Sequence, residues 1–337
     1  MCSEGHKYRE CACGDKEEKV LPITLKFNTR TLTLYSNIQV NYKIRKAQLD
    51  TSEYKNPYAV FEFEGKNGTR TESVTEPRYE INNGTEYYVF DFSNLAPDQM
   101  GNNIAVRLYA EYDGAEYLCD EYATYSVKEY CDGQLRRLEN ATSSKDVVTR
   151  TLIVDILNYG AALQVYNNYK TDALVNSHLT ETQKSWGSTT YEPFEKITEQ
   201  TGTENGFAWN CTSLLLADAV NPTVDFTVSS LEGITIVVKY AGKTVTYEDL
   251  KVDGVTLKST NTENRYKLVT ALGAHQMREP ITFEAYKDGV LISKTLTTSV
   301  ESYAFAKSDP ATEKYPGLAN LVIAMMKYGD SVAAYRG

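Results

Sequence analysis

The stretch "LAPDQMGNNIAVRLYAEYDG", residues 95–114, carries much of the information about the fold of this chain. Its middle part alternates apolar and polar side chains, as a half-buried β-strand does. The Asp-Gly at its end favours a tight hairpin turn, and the Pro-Asp near its start marks a second turn. The stretch therefore predicts one strand of an antiparallel sheet with a turn at each end.

A second version of this stretch, "LGAHQMREPITFEAYKDG", occupies residues 272–289. Other matches lie on both sides of it, and the offset between matched residues only decreases along the chain. In chain order the matched pairs are Thr31 with Ser213 (offset 182), Gly65 with Gly242 (177), Met100 with Met277 (177), Tyr130 with Tyr303 (173) and Tyr159 with Tyr328 (169). A duplicated module with a few loop deletions accounts for this pattern, whereas chance matches would not.

Both copies have the same internal plan. Short segments rich in Val, Ile, Phe and Tyr alternate with turn signals such as "GKNGT" and "NNGT", which is typical of an antiparallel β-sandwich. In copy one these segments are "LPITLKF", "IQVNYKIR", "YAVFEFEG", "YYVFDF", "NIAVRLYAEY" and "EYLCDEYATYSV". We predict a mainly β protein with helical appendages: two tandem antiparallel β-sandwich modules, each followed by an amphipathic helix or helical hairpin.

The predicted helices are "VTRTLIVDILNYGAALQVYNNY" and "LANLVIAMMKYGDSVAAY". In the first, apolar residues recur every three or four positions and form one face of a helix. A glycine follows a tyrosine at the same place in both copies, at Gly160 and Gly329. Glycine costs a helix interior about 1 kcal/mol relative to alanine, so we expect these positions to serve close packing or backbone approach. Each helix should dock against its own sandwich or the next module.

The predicted domain boundaries follow from the repeat. Residues 1–19 form an N-terminal segment that contains Cys and His, and residues 20–180 form copy one of the sandwich with its helix. Residues 181–210 form an aromatic-rich segment between the copies, called the seam below. Residues 211–337 form copy two.

Composition excludes several classes of function. The net charge of −10 argues against nucleic acid and anionic membranes as partners, because both attract basic patches. Histidine occurs three times among 337 residues, and no nucleophile motif, phosphate loop or HExxH is present, so we expect no catalysis. Carboxylates lack a distinguishing context, and Asp155 and Asp330 of the two helices do not align, so we expect both at the surface.

The combination of "DQMGNNIAVRLYA", "YSVKEY" and "LNYGAALQVYNNYKTDALVNSHLT" resembles modules of large secreted cell-surface proteins from gut Clostridia, ruminococci especially. In those proteins such modules accompany leucine-rich repeats, dockerins or carbohydrate-binding domains. The resemblance covers residues 20–180 and, more weakly, 210–337. It implies an extracellular, bacterial cell-surface location and an adhesive or polysaccharide-binding role, and it brings no catalytic residues.

The N-terminal segment contains the one candidate metal site. Cys2, His6, Cys11 and Cys13 supply the sulfur and imidazole ligands that tetrahedral zinc prefers, although the spacing lacks a C-x2-C pair. A disulfide with a spare thiol, or no ordered site, fits the same residues. Apart from this zinc ion, no cofactor is expected.

The seam contains the candidate ligand-binding residues, because both tryptophans lie in it. Aromatic rings among Thr, Ser, Asn and Gly offer flat apolar faces and short polar groups, which suit a sugar. The candidates are Trp186, Tyr191, Phe207 and Trp209. The alternative is that these aromatics clamp the seam onto the sandwiches. The tyrosines of the last strands, about half of which we expect in the core, are a second route to sugar stacking.

Two functional hypotheses follow. The first is a non-catalytic cell-surface protein that binds a polysaccharide or another glycan. The second is a structural spacer, or a protein-binding adhesin module, in contact with other domains of a larger surface protein.

Overall fold

In a computed structural model of the chain, the described residues are 25–34, 37–189, 192–216, 220–248, 250–252 and 256–337, apart from the side chains at 122–124. Three short N-terminal strands are described as backbone only. Within these residues, no helix is long and apolar enough to span a bilayer.

The strands are, in chain order, β1 Cys2–Ser3, β2 His6–Glu10, β3 Lys16–Val20, β4 Thr29–Thr33, β5 Ile38–Arg45, β6 Lys55–Gly65, β7 Gly68–Val74, β8 Arg78–Asn82, β9 Thr85–Leu95, β10 Ile104–Tyr112, β11 Ala115–Tyr125, β12 Gly202–Glu204, β13 Phe207–Leu216, β14 Val220–Val228, β15 Ile234–Tyr240, β16 Lys243–Tyr247, β17 Leu257–Ser259, β18 Arg265–Val269, β19 Ile281–Lys287, β20 Val290–Leu291 and β21 Leu296–Thr298. The helices are α1 Lys46–Asp50, α2 Val127–Arg137, α3 Ser144–Tyr166, α4 Glu181–Lys184, α5 Val300–Lys307 and α6 Leu318–Arg336, and 3₁₀ turns lie at Pro97–Gln99 and Ala274–Gln276.

The first compact unit comprises Gln39–Ser93, Gly101–Tyr130 and the chain up to Thr33. Its two antiparallel sheets have the strand orders β4-β5-β9-β8 and β11-β10-β6-β7, while β1, β2 and β3 form a small sheet of their own. Phe61 of β6 meets two rings of the facing sheet, Tyr42 at 5.7 Å and Phe92 at 5.2 Å between centroids. The unit is therefore a β-sandwich with an aromatic core.

The second compact unit comprises Leu34–Ile38, Asn94–Met100 and Cys131–Gly337. Its sheets have the orders β12-β13-β14-β18-β17 and β16-β15-β19-β20, with β21 also paired to β19. The ring of Trp209 on β13 lies 6.1 Å from that of Phe283 on β19 in the facing sheet. This unit is likewise a sandwich, and it also contains α3 and α6.

The strand order repeats between the two sandwiches. The order β13-β14-β18-β17 repeats β4-β5-β9-β8, and β19-β15-β16 repeats β10-β6-β7. The register repeats as well, since Thr31 pairs with Asn41 and Ser213 pairs with Thr223. The predicted fold class, tandem antiparallel sandwiches with helical appendages, is confirmed.

The two Tyr-Gly helices, α3 and α6, are both part of the second unit. A Cβ atom added to Gly160 would lie 2.6 Å from the carbonyl oxygen of Pro97, and one added to Gly329 would lie 2.9 Å from that of Ala274. In each case the methionine of the neighbouring "QM" pair fills the same gap. Each helix thus docks on the 3₁₀ turn of its own copy, and the predicted role of the glycines in close packing is confirmed.

The tyrosines before these glycines stack on each other. The rings of Tyr159 and Tyr328 are 5.6 Å apart with an interplanar angle of 15°, and both side chains are buried. The hydroxyl of Tyr328 donates to the carbonyl oxygen of Leu34 at 2.8 Å. Burial raises the pKa of both phenols well above the ordinary value. These tyrosines are therefore packing residues of the helix pair.

The expectation that Asp155 lies at the surface is wrong. Its side chain is 1% exposed and accepts hydrogen bonds from the backbone N–H and the hydroxyl of Ser188, at 2.9 and 2.5 Å, and from the hydroxyl of Ser331. Asp330 is half-buried and pairs with Arg278 at 2.7 Å. The carboxylate of Asp155 can be buried because three donors converge on it.

Candidate functional site

Trp209 and Phe207 belong to the core of the second sandwich. Each side chain is 1% exposed, and their rings are 4.6 Å apart and perpendicular in arrangement. The indole N–H of Trp209 donates to the carbonyl oxygen of Lys294 at 2.8 Å. The structure thus departs from the sequence-based expectation for these two residues, because β13 begins at Phe207 and turns both rings inward.

Trp186 lies just after α4 and is half-buried. The guanidinium carbon of Arg150 is 4.8 Å from the centre of its ring. Neighbouring seam residues are held within the same unit: Ser188 bonds to Asp155, and the N–H of Ile197 donates to the hydroxyl of Ser302 at 3.0 Å. Among the described residues, Trp186 has no ring contact with Trp209. These contacts agree with the clamp alternative for this part of the seam.

The remaining candidates lie outside the described residues. Tyr191 is one, and the side chains of Cys2, His6, Cys11 and Cys13 are the others, so the zinc and disulfide alternatives stay predictions. Among the described residues, Cys119, Cys131 and Cys211 are free thiols, and the side chains form no three-residue group of metal-ligand type.

The strand tyrosines divide between core and surface, although the side chain of Tyr122 is not described. Tyr112 is buried in the first unit, while Tyr109, Tyr117 and Tyr125 are half-buried. Tyr109 stacks on Tyr58 of the adjacent strand, with centroids 5.2 Å apart and an interplanar angle of 13°. Because each of these rings covers one face of the other, the pair forms a compact aromatic surface.

A groove of about 830 Å³ lies in the second unit. Residues of both sheets line it, together with the 3₁₀ turn at Ala274–Gln276 and Arg336 at the end of α6. A groove of this size accommodates a few sugar rings or a short peptide, since ligand pockets span roughly 300–1,000 Å³. We call it the β16 groove, after the edge strand that forms one wall.

Two tyrosines face the β16 groove from one sheet. Tyr247 pairs with Ile236, and Tyr240 pairs with Lys243. Directly paired residues share a face of an antiparallel sheet, and Ile236 is buried in the core, so this face looks toward the opposite sheet. Both tyrosines are half-buried. They therefore combine an anchored ring with a surface open to the groove.

Short polar groups line the rest of the β16 groove. They are amide and hydroxyl side chains that donate and accept hydrogen bonds, namely Asn37, Asn94, Asn221, Thr256, Thr270 and Gln276. Several are held in place: the amide of Asn37 donates to Asn94 at 2.9 Å, and Gln276 accepts from the N–H of Gly273 at 3.0 Å. Fixed amides beside aromatic rings suit a ligand with many hydroxyl groups.

The charged lining is basic. Lys243, Lys258, His275 and Arg336 line the groove, and no described lining residue is acidic. A guanidinium nitrogen of Arg336 lies 3.0 and 2.9 Å from the two ring nitrogens of His275. Burial and the charges of Arg336 and Lys243 lower the pKa of His275 below its ordinary value. The groove is thus positively charged even with His275 neutral.

Sequence reasoning did not find this groove, because the residues that line it are scattered over the second copy and part of the first. One available signal was the pair Phe63 and Tyr240, which occupy equivalent positions opposite Ile104 and Ile281. Phe63 is 5% exposed and lies 5.8 Å from Phe92. A hydroxyl on the ring at position 240 indicates a wetter environment in copy two.

No family model matches this chain, and no curated protein matches it. Among solved structures, the chicken interferon gamma receptor alpha chain is 8% identical, covering 81% of this chain and 96% of its own, with a TM-score of 0.18. The FN1–FN3 domains of chicken CNTN1 are 10% identical over 87% and 74% of the two chains, at 0.19. A chimeric titin Z1Z2 tandem is 9% identical over 82% and 97%, at 0.17. Scores this low do not establish a shared fold.

Proposed function

We propose that this chain is a non-catalytic, extracellular binding protein of a bacterial cell surface, and that it binds polysaccharide in the β16 groove. The observation that carries the proposal is the lining of that groove. Its volume is about 830 Å³, and Tyr240 and Tyr247 line it together with amide and hydroxyl side chains. The surface location and the ligand class are also what the resemblance to gut Clostridia surface modules implies.

The lining matches the chemistry of a sugar. A pyranose ring has an apolar C–H face, which aromatic rings cover well, and a rim of hydroxyls, which amides and hydroxyls bond. Polar side chains that are already held in place lose little conformational entropy when a ligand binds, which favours affinity. Asn37 and Gln276 are held in this way before any ligand arrives.

The same lining disfavours catalysis. Glycoside hydrolysis requires two carboxylates at the scissile bond, and the described lining contains none. Binding without turnover is therefore the activity we assign to the groove.

Affinity electrophoresis of the full chain against starch, cellulose, xylan, pectin and mucin tests the proposal. We expect retardation by at least one glycan, and loss of most of that retardation in Tyr240→Ala and Tyr247→Ala. Tyr58→Ala, in the stacked pair of the first unit, is the matched control and should leave binding unchanged. Thermal melts of all variants establish that each is folded.

Other outcomes point elsewhere. Loss of binding in Trp186→Ala, with both groove variants unaffected, would move the site to the seam. Retardation by no glycan would reject the proposal and favour the spacer or adhesin alternative, for which recovery of a protein partner from cell-wall extracts is the corresponding test.

A further inference from the structure

Two lysines that line the β16 groove lack an ion-pair partner among the described residues. Elsewhere in the second unit, Lys239 pairs with Glu284 at 2.9 Å and Arg265 pairs with Asp225 at 3.0 Å. Lys243 and Lys258, by contrast, have no ion pair among the described residues. Two lysines without an ion pair thus line one groove in a chain whose net charge is −10.

These lysines come from different sheets. Lys243 begins the edge strand β16, and Lys258 lies on β17 of the opposite sheet. Arg336 adds a third permanent charge from the end of α6. Charges of one sign that converge on a cleft concentrate the electrostatic potential there and raise the local concentration of anions.

In the first copy an arginine, Arg70, occupies the position equivalent to Lys243. Phe63 pairs with Arg70 at the place where Tyr240 pairs with Lys243. Arg70 bonds to Glu72 at 2.5 Å, and its guanidinium carbon lies 4.4 Å from the ring centre of Phe92. The cation of copy one is therefore neutralised and packed on the core, whereas the lysine of copy two is exposed in the groove.

We propose that the ligand of the β16 groove is an acidic polysaccharide whose sugar units carry carboxylates, with Lys243 and Lys258 binding the carboxylates and Tyr240 and Tyr247 the sugar rings. This inference rests on the proposed function and specifies its substrate class. Polyanions without sugar rings are poor alternatives, because they would leave the aromatic rings of Tyr240 and Tyr247 without an apolar face to cover.

Isothermal titration of the full chain with an oligogalacturonate tests the inference. The matched ligand is the same oligomer with its carboxyl groups reduced to alcohols, which keeps the rings and removes the charge. We expect binding of the oligogalacturonate to be at least about tenfold tighter, and to weaken as salt increases through the screening range near 0.1 M. A sulfated dextran in a third titration separates recognition of uronates from general attraction to anions.

The lysine variants locate the charge effect. Because both lysines are exposed, each of Lys243→Gln and Lys258→Gln should weaken oligogalacturonate binding about two- to fivefold, and the double variant about tenfold. Binding of the reduced oligomer should not change. Lys287→Gln is the matched control, since Lys287 lies at the far end of β19, opposite Ile234 rather than near Tyr240.

Each failure has a distinct meaning. Equal binding of the charged and reduced oligomers, insensitive to salt, would overturn the acidic-ligand inference and leave the proposed function standing. Equal binding of sulfated dextran and oligogalacturonate, unaffected by Tyr247→Ala, would overturn it as unspecific ion pairing. No binding of any glycan, charged or neutral, would overturn both.

Discussion

Gly160 and Gly329 occupy equivalent positions in the two helices, and each leaves a gap that a backbone carbonyl and a methionine fill. We expect Gly160→Ala and Gly329→Ala each to lower the free energy of unfolding by about 1–3 kcal/mol, since the added methyl overpacks the contact by more than alanine gains in helix propensity. Urea unfolding measures the change.

Gly133 of α2 provides the control for this prediction, because an added Cβ there meets no atom within 4 Å. Gly133→Ala should be neutral or stabilise by up to about 1 kcal/mol. Equal effects of all three substitutions would show that close approach is not what the repeated glycines provide.

Asp155 makes stability depend on pH in a defined direction. Burial raises its pKa above the ordinary 3.8, and hydrogen bonds from Ser188 and Ser331 and the charge of Lys327 oppose that rise. The folded chain therefore holds this proton more firmly than the unfolded chain does. The resulting stabilisation is fully present below the unfolded pKa and is lost as pH rises through the folded pKa.

Asp155→Asn should remove this dependence. We expect the wild type to lose stability relative to the variant as pH rises above the ordinary aspartate pKa of 3.8, in urea unfolding at a series of pH values. Comparison of the two proteins cancels the titration of every other carboxylate. A difference that stays constant with pH would contradict the assignment.

His275 makes ligand binding depend on pH. Its pKa lies below the ordinary 6.5 because of burial and the charges of Arg336 and Lys243, with Glu279 acting in the opposite direction. An anion in the groove raises this pKa, so affinity for an acidic oligosaccharide should increase as pH falls through it. In titrations at several pH values, His275→Gln should flatten the curve, and an unchanged curve would exclude His275 as the cause.

At the scale of elements, α3 and α6 are related by the repeat but are not identical in their bonding. The hydroxyl of Tyr328 donates to the carbonyl oxygen of Leu34, whereas the hydroxyl of Tyr159 makes no hydrogen bond within the described part of the chain. Tyr328→Phe should cost about 1–2 kcal/mol of unfolding free energy because it leaves a buried carbonyl without its donor.

Tyr159→Phe, at the equivalent position, should cost less than about 0.5 kcal/mol, because the stacked ring remains and no hydrogen bond is lost. Both variants keep the aromatic ring, and only Tyr328→Phe removes a hydrogen bond. The difference between their free energies of unfolding, measured in the same assay, therefore reports on that hydrogen bond. Equal costs would show that the phenol of Tyr328 stabilises the helix pair in some other way.

The elements also show what local patterns can predict. The segment "IQVNYKIR" is β5 as predicted, and the long α3 and α6 match the predicted helices to within a few residues. Strands β4, β7 and β8 and helix α2 were not predicted, and residues 25–27 of the predicted strand "LPITLKF" do not form a strand. β7 and β8 lie at sheet edges and consist mainly of exposed or half-buried polar residues, so they carry little of the alternation that identifies a strand.

At the scale of the whole molecule, the N-terminal zinc hypothesis remains open to a direct test. A site made of Cys2, His6, Cys11 and Cys13 predicts about one zinc ion per chain in elemental analysis of the purified protein. The double variant Cys11→Ser/Cys13→Ser should lose it. Substoichiometric zinc would dismiss the site, and a thiol titration of the denatured chain then decides between a disulfide and free cysteines.

The repeat, the sandwich class and the helices follow from the order of residues along the chain, because strand alternation, helical spacing and duplication are all local or periodic signals. The location of the site does not follow, since it depends on which sheets face each other. Trp209 is of a residue type common in sugar-binding sites, but it lies between the two sheets of the sandwich and is buried. Tyr240 and Lys243 had no distinguishing motif, yet they lie at an open edge opposite Lys258, and that juxtaposition of distant strands forms the groove.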